Sequence, residues 1–252
     1  MAIAFDSFTR AAGSTVTSVD VVHTHTGSLK ILGLSISAWD ASAPVPNVTT
    51  VEMDPDGTPV SMVRRKTNPA AGSNNLIELW DAGESIVTAS PVTIRTTFDA
   101  TISNVHVAAF TLTGAAQQAP VSTDTDEQSF PTQNHSHTLT ITDNGSLALG
   151  LFMGDLASSF WAPQNSQTEE FDSALAIGIT SSLNWLSVDI SDSPITLGCN
   201  GNDNSNNSVS IGAIYAPPLL VSSRSGAPGG PGRRSRFLGK GRQRRNRAWW
   251  VS

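Results

Sequence analysis

Two pairs of histidines have the spacing of metal ligands on a β-strand. His23 and His25 form one pair and His135 and His137 the other, each separated by a single residue. Because side chains two positions apart on a strand point to the same face, each pair could chelate one metal ion. No cysteine lies nearby and the acids are scattered, so the further ligands are missing. We therefore predict no metal or other cofactor and expect hydrogen-bonded or surface histidines.

The other reactive side chains fit no catalytic pattern. Asp54-Pro-Asp-Gly57 and residues 201–207 lack the spacing of a calcium loop and are typical of turns. Glu169, Glu170 and Asp172 could form the carboxylate cluster of a glycoside hydrolase, but we interpret them as an acidic surface loop. The sequence contains no Gly-X-Ser-X-Gly motif and no phosphate-binding glycine loop. We predict that the protein is not an enzyme.

The strongest signal is a basic segment at 218–252 that ends in two tryptophans. It holds nine of the 15 Lys and Arg residues and none of the 21 Asp and Glu residues. Residues 1–217 therefore carry six basic against 21 acidic residues, a net charge near −15, and the segment carries a net charge near +9. A run of arginines among Gly, Gln and Asn cannot bury itself, so it is either solvated or ordered on an acidic partner.

We predict that 218–252 is a Gly/Pro hinge followed by a docking arm. Nucleic acid, the acidic body of another copy, and another protein of a larger particle are the partners that would suit it. The acidic body would repel a polyanion, which argues against nucleic acid. Arg and Trp are enriched at the centres of protein interfaces. The predicted docking residues are Arg233, Arg234, Arg236, Phe237, Arg242, Arg244, Arg245, Arg247, Trp249 and Trp250.

The elements that must position these residues are short β-strands. Charged residues make up only 14% of the chain, and Thr, Ser, Asn, Val and Ile are plentiful, which favours strands and polar turns over helices. Alternating segments recur at a spacing of roughly 8 to 12 residues, which is typical of sandwiches. The predicted fold class is all-β, an antiparallel β-sandwich of jelly-roll type over 1–217 with an extended basic C-terminal arm.

Several local predictions follow from turn chemistry and hydrophobicity. Asn144-Gly145 predicts a tight turn that pairs a strand at 137–142 with one at 146–153. The long polar stretch at 114–133 is predicted to be an exposed loop. Residues 170–177 are the one place where a short helix could form.

The sequence also contains an internal echo. His23-Thr-His-Thr-Gly-Ser-Leu29 leads into Leu32-Gly-Leu34, and His135-Ser-His-Thr138 is followed by Gly145-Ser-Leu147 and Leu149-Gly-Leu151. Two core hairpins that converged on similar residues would explain the likeness. A two-fold pseudo-repeat would explain it as well.

The body resembles a group of tailed-bacteriophage virion proteins with jelly-roll-like β-sandwich domains. A Thr/Ser-rich strand at 15–26, an apolar strand at 29–36, a late Gly-Ser-Leu strand at 145–153 and a final alternating strand at 208–218 carry the resemblance. It implies a non-enzymatic particle component, namely a capsid decoration protein, a head fibre or a tail-associated subunit. No catalytic residue is carried over.

The expected function is therefore that of a structural virion component, a surface decoration or minor capsid protein held by its arm. Its expected partners are other virion proteins, such as major capsid or tail proteins, and its own copies in a homo-oligomer. The start of the chain lacks the features of a signal peptide and no apolar stretch is long enough to span a membrane, so we expect synthesis in the host cytoplasm and location in the virion. The alternative is a carbohydrate-binding adhesin or fibre module that stacks host glycans on exposed Trp161 or Trp185.

Overall fold

The computed structural model describes residues 2–26, 30–54, 56–69, 74–82, 91–129, 134–154, 161–175, 179–201 and 207–218. They form strands and a single 3-10 turn at Ile190–Asp192. The strands are β1 (Ala4–His23), β2 (Lys30–Trp39), β3 (Val48–Met53), β4 (Val60–Ser61), β5 (Val63–Pro69), β6 (Asn75–Asp81), β7 (Val92–Thr113), β8 (Ser122–Ser129), β9 (Asn134–Leu139), β10 (Ser146–Gly154), β11 (Trp161–Pro163), β12 (Thr168–Leu175), β13 (Ile179–Val188), β14 (Ile195–Gly201) and β15 (Asn207–Tyr215).

The pairings between these strands are antiparallel, which confirms the predicted all-β antiparallel fold. Met1–Leu219 form one compact unit. The predicted arm falls in the second unit, Leu220–Ser252, which lies outside the described residues.

Strands β8 to β15 have the topology of a jelly roll, and we call them the second roll. One sheet has the order β8-β15-β10-β13-β12, and the other has the order β9-β14-β11. If β8 is counted as the first strand of this roll, the first, eighth, third and sixth strands share one sheet. The second, seventh and fourth strands share the other sheet, as in an eight-stranded jelly roll. The fifth strand, β12, is added at the edge of the larger sheet beside β13.

Strands β1 to β7 repeat this order, and we call them the first roll. Residues 4–14 of β1 pair with 104–113 of β7, and residues 16–23 pair with 92–102. The two halves lie in different layers, since His23 at the end of β1 reaches back to Thr9 near its start. The sheet order β1-β7-β2-β6-β5 therefore matches β8-β15-β10-β13-β12, strand for strand.

The two rolls pack through their larger sheets, which we call the inner sheets. Leu79 and Phe110 of the first roll share one apolar core with Leu149, Leu151 and Ile211 of the second. The smaller sheet of each roll covers the other face of its inner sheet. The described body is therefore built of four β-layers, with the larger sheets inside and the smaller ones outside.

The edges of the inner sheets meet in equivalent pairs. On one side β5 lies beside β8, where Asn68 Nδ2 donates to the carbonyl of Asp126 at 2.9 Å. On the other side β1 lies beside β12, where the rings of Phe8 and Phe171 stack with centroids 5.7 Å apart. Because β5 corresponds to β12 and β8 to β1, the two contacts are related by an approximate two-fold axis.

The repeat is real in topology, but the Leu-Gly-Leu part of the echo does not follow it. Leu32 and Leu34 point into the core of the first roll, whereas Leu149 and Leu151 point into the core between the rolls. The Leu-Gly-Leu segments thus face opposite sides of their sheets. The likeness of the Leu-Gly-Leu segments is therefore convergence, whereas His23 and His135 lie in corresponding strands and both contact hydroxyls of the last strand of their roll.

Three local predictions are wrong for topological reasons. The stretch at 114–133, predicted to be a loop, contains β8, and 170–177, where we allowed a helix, belongs largely to β12. Gly145 has the positive φ of +74° that its turn requires, but β9 and β10 do not pair across it. Instead β9 pairs with β14, and β10 with β13 and β15, because consecutive jelly-roll strands enter different sheets.

Candidate functional site

A buried polar cluster lies where β9 crosses the inner sheet of the second roll. His135 Nε2 is 2.9 Å from Ser208 Oγ, and its Nδ1 is 2.7 Å from Ser210 Oγ. The same Nδ1 lies 3.4 Å from the carboxylate of Asp126 on β8. The hydroxyls and the imidazole therefore satisfy one another inside the layer, as expected of a buried polar group.

His137, two residues along β9, is held differently. Its side chain is fully buried, yet neither ring nitrogen has a hydrogen-bond partner among the described residues. The carboxylate of Asp124 lies 3.7 Å from Nδ1, which is beyond hydrogen-bond distance. Because side chains alternate along β8 and β9, Asp124 and Asp126 thus lie opposite His137 and His135. Of these two pairs, only that of His135 is hydrogen-bonded into the sheet.

Burial sets the ionisation of this cluster. Burial, together with the charge of the neighbouring His135, lowers the pKa of His137 to about 4. Burial opposes ionisation of Asp126, but hydrogen bonds from His135, Gln128 and the Ser136 backbone bring its pKa down to about 2. At neutral pH the cluster therefore holds a neutral His137 and an ionised Asp126.

The first roll holds a buried histidine between hydroxyls, as the second roll holds His135. His23 Nδ1 lies 3.1 Å from Thr9 Oγ1, and its Nε2 lies 2.8 Å from Thr111 Oγ1. Burial lowers the pKa of His23 to about 4, with a further contribution from His25. The prediction of hydrogen-bonded histidines is thus confirmed for His23 and His135 and is wrong for His137, whose nitrogens lack partners.

His106 in β7 faces the second roll. It is a buried residue whose Nδ1 is 2.5 Å from Ser181 Oγ, so it is a hydrogen-bonded core histidine. Burial lowers its pKa to about 4, and Arg10 lowers it further. In the described part of the chain no group of three or more His, Cys, Asp or Glu side chains is placed to hold a metal ion.

The edge strand β5 carries a short basic run, which the sequence analysis did not single out. Arg65 forms a 2.8 Å ion pair with buried Asp81, and Arg64 forms a 3.1 Å pair with Glu78. Arg64, Arg65, Lys66 and Thr67 line an open surface depression of about 310 Å³. Three of the six basic residues before position 218 stand consecutively here, and that concentration was the available sequence signal.

The edge strand β12 carries the acidic residues that we had interpreted as a surface loop. Glu169, Glu170 and Asp172 lie on a strand paired with β13, so the loop interpretation is wrong. Burial raises the pKa of Glu169, and the neighbouring Asp172 raises it further. Burial also raises the pKa of Asp172, although the backbone N–H of Trp161 donates to its carboxylate at 2.8 Å.

The tryptophans proposed as glycan platforms are part of the packing. Trp161 is only 1% exposed and packs with Phe152 and Cys199 between the two sheets of the second roll, so its predicted exposure is wrong. Trp185 stacks on Phe5 with ring centroids 6.0 Å apart. The large apolar side chains exposed among the described residues are aliphatic: Val22, Val60, Val63, Val121 and Ile190.

The predicted docking residues, Arg233 to Trp250, lie outside the described residues. Cys199 is a buried free thiol, and burial raises its pKa to about 12. Among the described residues no helix is long and apolar enough to cross a membrane.

Neither a protein-family model nor a curated protein matches the sequence. Among solved structures, the chain is similar to one titled "Crystal Structure of the STIV MCP", with 10% identity and a TM-score of 0.26. The match covers 88% of this chain and 99% of that chain. A TM-score of this size does not define a shared fold, so the jelly-roll assignment is based on the strand order described above.

Proposed function

We propose that the protein is a non-enzymatic structural component of a bacteriophage virion, a surface decoration or minor capsid protein. The observation that carries the proposal is the tandem pair of jelly rolls packed through their inner sheets. Jelly rolls are a common architecture of viral capsid domains. The histidines and the buried tryptophan that could have served chemistry or ligand binding serve the packing of the layers instead.

The basic segment supplies the proposed means of attachment. Residues 1–217 have a net charge near −15, with six basic against 21 acidic residues, and the nine basic residues beyond them meet no acidic neighbour in sequence. An arm of this kind would bind an acidic surface through Arg contacts and bury Trp249 and Trp250 as an apolar anchor. Its proposed partners are other virion proteins and further copies of the same chain.

Deletion of residues 233–252 tests the proposal. We expect the truncated body to fold, because none of the described β-layers includes these residues, and to be lost from purified virus particles. Protein content of the particles, measured by quantitative mass spectrometry, is the readout, and circular dichroism of the truncated chain is the control for folding. Normal incorporation of a folded, truncated chain would contradict docking through the arm.

The salt dependence of attachment distinguishes the contribution of the arginines from that of the two tryptophans. Charge contacts at a surface are screened at ~1 M salt, where the Debye length is only ~3 Å. Release of the protein from particles at that salt concentration would assign attachment to the arginines. Retention at ~1 M salt, together with release of a Trp249→Ala/Trp250→Ala variant, would assign it to the tryptophan pair.

A further inference from the structure

The two equivalent edge strands of the inner sheets, β5 and β12, carry opposite charge. Each is the end strand of its sheet, paired with β6 in one case and with β13 in the other. Arg64, Arg65 and Lys66 follow one another on β5, and Glu169 and Glu170 on β12. An end strand presents unpaired backbone N–H and C=O groups along its outer side, which another strand can pair with.

The two edges also share their local geometry. The pairing of β5 shifts register between Arg64 and Lys66, and that of β12 shifts between Glu169 and Phe171. Each edge is therefore interrupted by one bulge at a charged residue. Bulges and charges commonly protect edge strands from pairing. Here the charges differ in sign, so they repel two copies of the same edge but attract the two different edges.

Two of these charges are engaged within the fold, since Arg65 pairs with Asp81 and Glu170 accepts a hydrogen bond from Trp185 Nε1. The other three remain available to a partner. Arg64 is 47% exposed and donates one N–H to Glu78, whereas a guanidinium has five N–H groups. Lys66 forms no ion pair with the described residues. Glu169 is exposed, and the negative charge of Asp172 repels its carboxylate. A cation delivered from outside would relieve that repulsion.

We propose that β5 of one copy docks against β12 of the next copy, head to tail, so that the inner sheets continue from copy to copy. Symmetric pairing, β5 with β5 or β12 with β12, would place like charges opposite each other and is disfavoured. A contact between two different surfaces of one chain is repeated by every copy and builds rings or linear arrays. This inference deepens the proposed function, because such arrays suit a particle component.

Charge reversal in the full chain tests the pairing, with sedimentation velocity at low salt over a range of concentrations as the readout. Lys66→Glu and Glu169→Lys each place like charges across the proposed contact, and we expect each to weaken self-association roughly tenfold. The Lys66→Glu/Glu169→Lys double variant exchanges the two signs, so its association should recover. Asp143→Lys, in the loop between β9 and β10, reverses a charge away from both β5 and β12 and should not weaken association.

Recovery in the double variant is the decisive outcome, since mere loss of folding is not repaired by a second substitution. An equimolar mixture of the two single variants should also associate, because each supplies the edge that the other needs. The inference is overturned if the natural chain stays monomeric at all concentrations tested, or if Lys66→Glu and Glu169→Lys leave self-association unchanged. It is also overturned if the double variant folds but does not recover self-association. Loss of particle incorporation on deleting 233–252 is independent of all three results, so the two proposals can fail separately.

Discussion

The two rolls of this protein share a strand order and differ in what fills them. Among the described residues, the interior of the first roll is a cluster of 21 buried apolar side chains. The interior of the second roll is divided into apolar clusters of six and three buried residues. Between them lie the buried polar side chains of His135, His137, Asn184, Ser208 and Ser210. The interior of a jelly roll can thus be filled either by a continuous apolar core or by a polar network flanked by small apolar clusters.

The two interiors therefore stabilise their rolls in different ways. Apolar burial dominates the interior of the first roll, where the hydrogen-bonded His23 is an exception. The second roll depends more on hydroxyls, imidazoles and carboxylates that must find one another. The core that the inner sheets share joins the two, so both rolls contribute to one body. Substitutions at matched positions should therefore have unequal effects in the two rolls.

The largest difference is expected for buried leucines. Leu34 and Leu197 are both fully buried, but Leu34 belongs to the large cluster of the first roll and Leu197 to the six-residue cluster of the second. We expect Leu34→Ala to lower the free energy of unfolding by ~4–5 kcal/mol and Leu197→Ala by ~2–3 kcal/mol. Equilibrium denaturation measures both. An equal or larger loss at Leu197 would contradict the contrast between the two interiors.

The next effect separates two histidines of the same strand. His135→Leu leaves the hydroxyls of Ser208 and Ser210 without their imidazole partner and should lower the free energy of unfolding by ~1–3 kcal/mol at pH 7. His137→Leu removes two buried nitrogens that have no hydrogen-bond partner, so it should be neutral or stabilising by ~1 kcal/mol. Denaturation of the two variants side by side provides the check. If His137→Leu were the more harmful, His137 would have a partner that this account does not include.

A further effect concerns pH. His23 in the first roll and His137 in the second have pKa values lowered to about 4, whereas a histidine in the unfolded chain has a pKa near ~6.5. Between these values the unfolded chain binds more protons, so the free energy of unfolding falls as the pH drops from ~6.5 towards ~4. Each such histidine contributes up to ~1.4 kcal/mol per pH unit to the slope.

His137→Leu and His23→Leu should each reduce that slope by up to one proton. Free energies of unfolding measured at several pH values between ~4 and ~7 give the slopes. A slope unchanged by both substitutions would show that neither histidine is kept neutral by burial.

The sequence predicted the kind of fold but not its duplication. Alternating segments such as residues 92–98 indicated strands correctly, because one side of the strand is buried and the other is not. The polar strand β8 was missed, because its carboxylates Asp124 and Asp126 face the imidazoles of β9 rather than an apolar core. Its absence from the predicted pattern removed the first strand of the second roll and hid the repeat.

The candidate surfaces were predictable only in part. The polar settings of His23 and His135 followed from the rule that buried imidazoles are hydrogen-bonded, but their partners come from strands far apart in sequence. The opposite charges of β5 and β12 are visible in the sequence, yet their equivalence is not. That equivalence depends on both strands being the ends of corresponding sheets, which is a property of the fold.

The central claim is that this protein is a building block of a virus particle. The most direct test is to separate purified particles from the particle-free lysate and to quantify the chain in both fractions by mass spectrometry. We expect the chain to be recovered with the particles at a constant ratio to their major capsid protein. Its absence from particles, with the full amount recovered in the lysate, would contradict the claim.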